Sequence, residues 1–316
     1  GGGRVRRPFT RDAPKPPMQR PLSLPTWQLF ALAVLVWGTT WHAIVYQIAE
    51  APVVWSVALR FAIAAACCAV VAAARHETLW IGPRGLALAS FQGLFMYCLS
   101  YLCVYEAEHH VHSGLVAVGY SLSPILNGVA SHLIWKTPLT ARLLVGGAMG
   151  AAGVVMIFAP EWAQADGQGD TAMGLVFTLA AVLLSSVGSL ASSRNRTLGL
   201  PFWSTMAWGM AAGALLSAAL ATAQGVALPW PLSSAWWGSL LYLSVAGSAV
   251  AFACFLALQQ RVGPGPASMV GVATPVLALV VSTALEGFVP TAWTVAGVLL
   301  ALGGSALALG LKLRRT

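Results

Sequence analysis

The sequence predicts an all-α polytopic membrane protein, ten transmembrane helices arranged as two inverted five-helix repeats with both termini inside, and three observations carry that prediction. The first is composition: 58% of the 316 residues are hydrophobic and only 8% are charged, with a mean hydropathy of +0.77. A soluble domain carries about 25% charged residues, and a core cannot absorb such a deficit because most of a surface must face water. The second is length: apolar runs recur from Trp27 to Leu313, each near the roughly 20 residues that cross about 30 Å of hydrocarbon. The third is an internal repeat. The stretch "SLSPILNGVASHLIWKTPLTARLLVGG" from Ser121 parallels "VATPVLALVVSTALEGFVPTAWTVAGV" from Val272.

Taken in order, residues 1–25 are rich in Pro and Arg and hold no apolar stretch beside a cleavage pattern. They read as a disordered basic cytoplasmic tail rather than a signal peptide. Apolar runs set against polar breaks then place the ten spans at about 27–47, 53–74, 85–105, 113–134, 143–159, 173–193, 202–223, 236–258, 265–285 and 292–311, and a second basic tail follows at 313–316. The fourth and ninth spans carry Pro124 and Pro275. A proline inside a helix kinks it and frees a backbone carbonyl, which a membrane tolerates where protein or a water-filled cavity satisfies the freed group. The five cysteines, Cys67, Cys68, Cys98, Cys103 and Cys254, all fall inside apolar runs without C-x-x-C spacing. They read as reduced packing residues rather than a disulfide or metal set.

Charge sets the orientation. With the N-terminus inside, Arg75, Arg84, Lys136, Arg142, Arg194, Arg196 and Arg261 lie in cytoplasmic loops, while Glu50, Glu106, Glu108, Glu161, Asp166, Asp170 and Glu286 lie outside. Glu77 is the one loop acid on the inner side. This is the separation that the positive-inside rule describes, and it predicts an N-in, C-in chain. The net charge of +8 comes from the two tails, with Lys312, Arg314 and Arg315 in the second. Basic tails beside an anionic inner leaflet are ordinary membrane electrostatics, so nucleic acid is not an expected partner.

Within the repeat, Pro124 matches Pro275, Gly146 matches Gly297, and Gly153 falls beside Gly303 and Gly304. Five spans per half insert the second copy upside down, and inverted repeats are a transporter architecture because two quasi-equivalent halves can open alternately to either side. The expectation is a carrier whose partners are a small-molecule solute and the lipid bilayer, working as a monomer or homodimer.

Several stretches resemble a known family. "WGTTW" in span 1, "ALRFAIAA" in span 2, "SGLVAVGYSLSPIL" in span 4 and "GSAVAFACFLALQQRVGPGPASMVGVATPVLALVV" across spans 8 and 9 are similar to the EamA family of the drug/metabolite transporter superfamily. The likeness covers 27–312 and divides into repeats at 26–159 and 172–312. It implies a ten-helix basket with a central cavity, and efflux of small metabolites such as amino acids across a bacterial inner membrane. The turn before span 4 reads "HSG" from His112, where the family commonly has "PSG".

Polar groups inside a membrane are costly and face the bundle interior or water, so they mark candidate sites. His42 lies about 22 Å up span 1 at a rise of about 1.5 Å per residue. Arg60, about 10 Å into span 2 from the outer side, and Tyr120 share that depth, the geometry of a cavity wall or gate. Arg60 could bind a substrate carboxylate with a bidentate fork, or pair with Glu50, or snorkel outward. Histidine titrates near neutral pH, so His42 is the candidate for proton coupling; the alternative is an interface histidine hydrogen-bonded beside Trp41 and Tyr46. Nearer the midplane, Tyr97, Tyr101, Asn127, Ser185, Ser248 and Thr274 complete a candidate substrate-binding set of aromatic and hydroxyl groups suited to a small zwitterion. Gln92, Ser186, Ser189 and Ser244 belong to the same layer. The competing reading of each is close helix packing.

The alternatives are a drug or metal efflux carrier and an intramembrane enzyme. Glu106, Glu108, His109, His110 and His112 are metal-ligand types, but adjacent ligands on a turn lack a defined spacing. The chain shows no phosphate loop, no H-E-x-x-H and no acid within the interior of any span. No cofactor, no resident metal and no enzyme activity are expected, and a proton relay through a mid-span carboxylate is disfavoured.

Overall fold

The computed structural model describes residues 22–136, 140–164 and 170–308. The expectations for most of the first tail, for Asp166 and for the second tail lie outside those residues. All regular structure among the described residues is helical. The helices are α1 Thr26–Ile48, α2 Val53–Ala74, α3 Gly82–His110, α4 Ser113–Ile134, α5 Ala141–Gln164, α6 Asp170–Thr197, α7 Phe202–Ala223, α8 Ser234–Val262, α9 Val270–Leu285 and α10 Ala292–Ala308. A short turn of helix, Pro264–Ala267, leads from α8 toward α9. Seven of these are long and apolar enough to cross a membrane, and the apolar parts of α5, α9 and α10 are shorter. This is a multi-pass membrane protein.

Helix starts follow local chemistry. Pro25, Pro52 and Pro201 immediately precede α1, α2 and α7, where a missing N–H costs no helical hydrogen bond. Ser233 caps α8, its hydroxyl accepting from the Trp236 amide at 3.1 Å, the usual N-cap contact. The first amides of α7 are met from another helix pair: Glu77 Oε2 accepts from Trp203 N at 2.9 Å and from Ser204 N at 3.2 Å. A carboxylate there also answers the positive end of the helix dipole.

Both α3 and α8 contain one π-helical stretch, Leu94–Leu99 and Val245–Val250, each near the middle of its helix. Such π turns are frequent at functional positions. The two helices run beyond the expected 85–105 and 236–258. With no Gly or Pro between Tyr101 and His110 to break it, α3 runs on to His110. Glu106 and Glu108 are therefore helical, which corrects the outer turn expected at "YEAEHHVHSG" and the expected absence of acids from helix interiors. The expected kink at Pro124 takes the form of a 3-10 turn, Tyr120–Leu122, with the helix restarting at Ser123. Pro275 sits inside α9.

The helices pair in a consistent pattern. A Cβ on Gly153 of α5 would lie 2.5 Å from Gly297 O of α10, and one on Gly304 would lie 2.4 Å from Gly146 O. Early residues of α5 thus meet late residues of α10, so the two run antiparallel, in backbone contact that only small residues allow. The same holds for α2 and α7, where Ser217 Oγ donates to Val54 O and Glu77 holds the start of α7. It holds again for α3 and α6, where Ser100 Oγ donates to Ala181 O and Asn195 Nδ2 to Gln92 Oε1. By contrast α9 runs parallel to α1: Gly38 abuts Leu277 and His42 meets Glu286.

Candidate substrate cavity

A central cavity lies between α1, α3, α4, α6, α8 and α9, with Arg60 of α2 at its edge. Its wall is aromatic and hydroxylic. Trp37 packs on Phe252 and Phe255 with ring centroids 5.0 and 5.3 Å apart, and Trp41 packs on Tyr120 at 5.5 Å. About 80 Å³ is open to a water-sized sphere, well below the roughly 300–1,000 Å³ of ligand pockets. The cavity is narrow.

Arg60 is fully buried. Its Nε donates to Ser248 Oγ at 2.9 Å and its Nη1 to Tyr105 Oη at 3.3 Å, and its guanidinium carbon lies 4.6 Å from the Tyr101 ring centroid. The π stretch of α8 positions Ser248, whose hydroxyl in turn donates to Leu243 O at 2.9 Å. Gly247 permits the approach: a Cβ there would sit 2.7 Å from Thr40 and 3.3 Å from Arg60 Nη2. Trp37 Nε1 donates to the Gly247 carbonyl at 3.0 Å, tying α1 to the same stretch. Among the described residues no carboxylate lies within ion-pair distance of Arg60. The expected partner Glu50 instead accepts from the Ser233 amide at 2.9 Å, because α2 turns Arg60 inward while Glu50 sits on the loop before it.

Other polar groups at the wall are incompletely used. Asn127 Nδ2 donates to Ser268 Oγ at 2.7 Å, while Asn127 Oδ1, Trp41 Nε1 and Ser186 Oγ have no hydrogen-bond partner. Thr274 spends its proton on Val270 O of its own helix at 2.7 Å.

Of the residues expected to bind substrate, Arg60, Tyr101, Tyr120, Asn127, Ser185 and Thr274 line the cavity. Tyr97 and Ser248 do not. Tyr97 is buried behind the wall, accepting from Gln92 Nε2 at 3.2 Å and packed against Gly213 of α7, with its ring on Phe61 and Phe252, which Tyr101 also meets. Ser248 stands behind Arg60. Sequence reasoning passed over Trp37, Trp41, Phe252 and Phe255, which look like ordinary apolar positions; the paired tryptophans of "WGTTW", four residues apart on one helix face, were the available signal.

His42, expected at the level of Arg60 and Tyr120, faces elsewhere. Its Nδ1 lies 3.0 Å from Glu286 Oε1, which also accepts from Ser113 Oγ at 2.6 Å, while Ser282 Oγ donates to Oε2 at 3.0 Å. Together these join α1, the start of α4 and the end of α9. Burial pushes the Glu286 carboxyl up, but the hydrogen bonds from Ser113, His42 and Ser282 outweigh it and hold the group below the ordinary carboxylate range. Among the described residues no cluster of three or more His, Cys, Asp or Glu side chains could hold a metal ion. His110 stacks on Phe177 and His112 sits edge-on to Phe288.

A helical bundle around a narrow aromatic cavity is what the comparisons with known proteins bear on. The EamA-like transporter family model matches residues 26–159 and 172–310. The chain belongs to the EamA family. Among relatives of this EamA protein, Protein PagO of Salmonella typhimurium is 25% identical over 269 residues, 82% of this chain and 84% of PagO. An uncharacterized transporter of Archaeoglobus fulgidus is 30% identical over 171 residues, 54% of this chain and 59% of the relative. A crystal structure with 22% identity superposes with a TM-score of 0.69, covering 90% of this chain and 96% of the other, which supports the fold. The EamA protein is thus a membrane transporter of the drug/metabolite type, handling a small-molecule solute, and the family points away from an enzyme.

Proposed function

We propose that this EamA protein is a secondary exporter of small metabolites bearing a carboxylate, amino acids among them, across a bacterial inner membrane. Two inverted five-helix halves, α1–α5 and α6–α10, would alternate access to the cavity, with ten spans and both termini cytoplasmic. The antiparallel pairing of α2 with α7 and of α5 with α10 supports two halves related by a two-fold axis in the membrane plane. The matching π stretches in α3 and α8 support it too.

The observation that carries the substrate class is Arg60, a buried cation at the cavity edge with no carboxylate partner among the described residues. Burying a charge unpaired is expensive, and two tyrosines and a serine are weak compensation. A substrate carboxylate would complete the site, with the free Trp41 N–H and Asn127 carbonyl oxygen available to its other polar atoms. Pro124 and Pro275 mark the helices able to bend beside the cavity.

The test is uptake of labelled amino acids into inverted membrane vesicles, with and without a pH gradient, in wild type and Arg60→Ala. Saturable accumulation lost in the variant is expected. No flux with any amino acid from folded protein would remove the substrate class. Labelling of cysteines placed at Thr197 and Ser234 tests the orientation: access from outside at 197 but not at 234 would overturn it.

A further inference from the structure

Glu108 lies on α3 one turn beyond Tyr105, the phenol that Arg60 holds. It is only 9% exposed, and neither carboxylate oxygen has a hydrogen-bond partner. Glu77, Glu50 and Glu286 are by contrast used: the first two accept backbone amides, and Glu286 accepts three side-chain donors. Glu108 is within electrostatic reach of Arg60 from α2 and of Glu286 at the end of α9, with Tyr105 on its own helix. His42 of α1 is held on the far side by Glu286. An ionised carboxylate buried with no donor is far costlier than a neutral carboxyl in the same place. Glu108 lies within electrostatic reach of the junction where α1, α4 and α9 meet around Glu286.

We propose that Glu108 is a proton-binding site of this carrier, taking a proton from the outer water as the outer end closes and losing it when the end opens. The site rests on the alternating-access reading above. Its consequence is a thermodynamic linkage: the closed state binds one more proton than the open state, so acid favours closure and alkali favours opening.

The experiment measures opening without any substrate. Ile44 is buried on the cavity wall in the outer half of α1. With the five native cysteines replaced by alanine, Ile44→Cys is labelled in right-side-out vesicles with a membrane-impermeant maleimide between pH 6 and 8.5. Because thiol reactivity itself varies with pH, the readout is the labelling rate of Glu108→Gln relative to the parent at each pH. Gln mimics the neutral acid, so the variant should stay closed and the ratio should fall as pH rises, by up to about tenfold per pH unit. Glu108→Asp should restore the parent profile. The same fall should persist in a His42→Gln background, since histidine titrates in this window as well.

A ratio that stays constant with pH overturns the proposal, as does an Asp variant that behaves like Gln, or a fall that vanishes in His42→Gln. No labelling of Ile44→Cys at any pH would overturn alternating access itself and the proton site with it. Labelling that is normal but insensitive to Glu108 would overturn the proton site alone.

Discussion

The Arg60 guanidinium and the Ser248 hydroxyl meet 2.9 Å apart across α2 and the π stretch of α8, so a side chain of the first half is aimed by an irregular turn in the second. The i→i−5 bond of Ser248 to Leu243 O follows from the local underwinding of the helix into a π turn. Ser248→Ala should therefore weaken solute binding while leaving the fold intact. A hydrogen bond to a charged group contributes about 1.5–3 kcal/mol, so up to roughly 10- to 150-fold weaker apparent affinity is expected. Arg60→Lys should not restore binding, because an ammonium lacks the planar fork. Concentration dependence of vesicle uptake checks both.

Trp41→Phe separates solute recognition from packing. The ring contact with Tyr120 survives, but the unpartnered indole N–H is gone. Leaving such a donor buried costs about 1–3 kcal/mol, so the ligand-free melting temperature should hold or rise. The thermal shift produced by a transported solute should shrink. A fall in ligand-free stability equal to that of Trp41→Ala would show that the indole N–H has no role.

Gly153→Val tests the α5–α10 seam. A Cβ at Gly153 would lie 2.5 Å from Gly297 O and 2.7 Å from Ala301 N, and backbone cannot yield as a side chain can. The loss should exceed the 1–3 kcal/mol typical of overpacking, about several degrees in melting temperature. Gly238→Ala, where nothing lies within 4 Å, should stabilise α8 by about 0.5–1 kcal/mol. Paired thermal melts of the two variants in one detergent make the comparison.

The His42–Glu286 contact carries a pH signature. Glu286 is held below the ordinary carboxylate range; a group depressed in the folded state contributes stability that is full above its unfolded pKa, about 4.3. That contribution disappears as pH falls through the depressed value. Glu286→Gln should thus be less stable than wild type at pH 7, with the gap closing below about pH 4. A gap independent of pH would assign the loss to packing alone.

Much of this was legible in the residues. Apolar runs and the polar breaks between them marked the apolar helices to within a few residues, because a helix interior in lipid must be apolar and self-satisfied. Arg60, Tyr101, Tyr120 and Asn127 were recognisable as cavity candidates since polar groups at membrane depth need a reason to be there. The errors came where depth was known and azimuth was not. His42 and Arg60 share a level, yet His42 points to Glu286. Tyr97 and Tyr101 are four residues apart and both pack on Phe61 and Phe252, yet only Tyr101 reaches the cavity. Glu108, which looked like part of an exposed turn, is buried because no breaker stops α3 before His110.

Composition and hydrophobic length alone determined that this EamA chain lives in a bilayer and that its spans are helices, since lipid leaves a backbone no other way to satisfy its hydrogen bonds. Which polar groups meet was decided by tertiary packing. The glycine contacts of Gly153 with Gly297 and of Gly304 with Gly146 set α5 against α10, and Gly247 lets α8 approach Thr40 and Arg60. Such contacts join residues more than a hundred positions apart, and their strength lies in mutual shape, which no local pattern of the chain encodes.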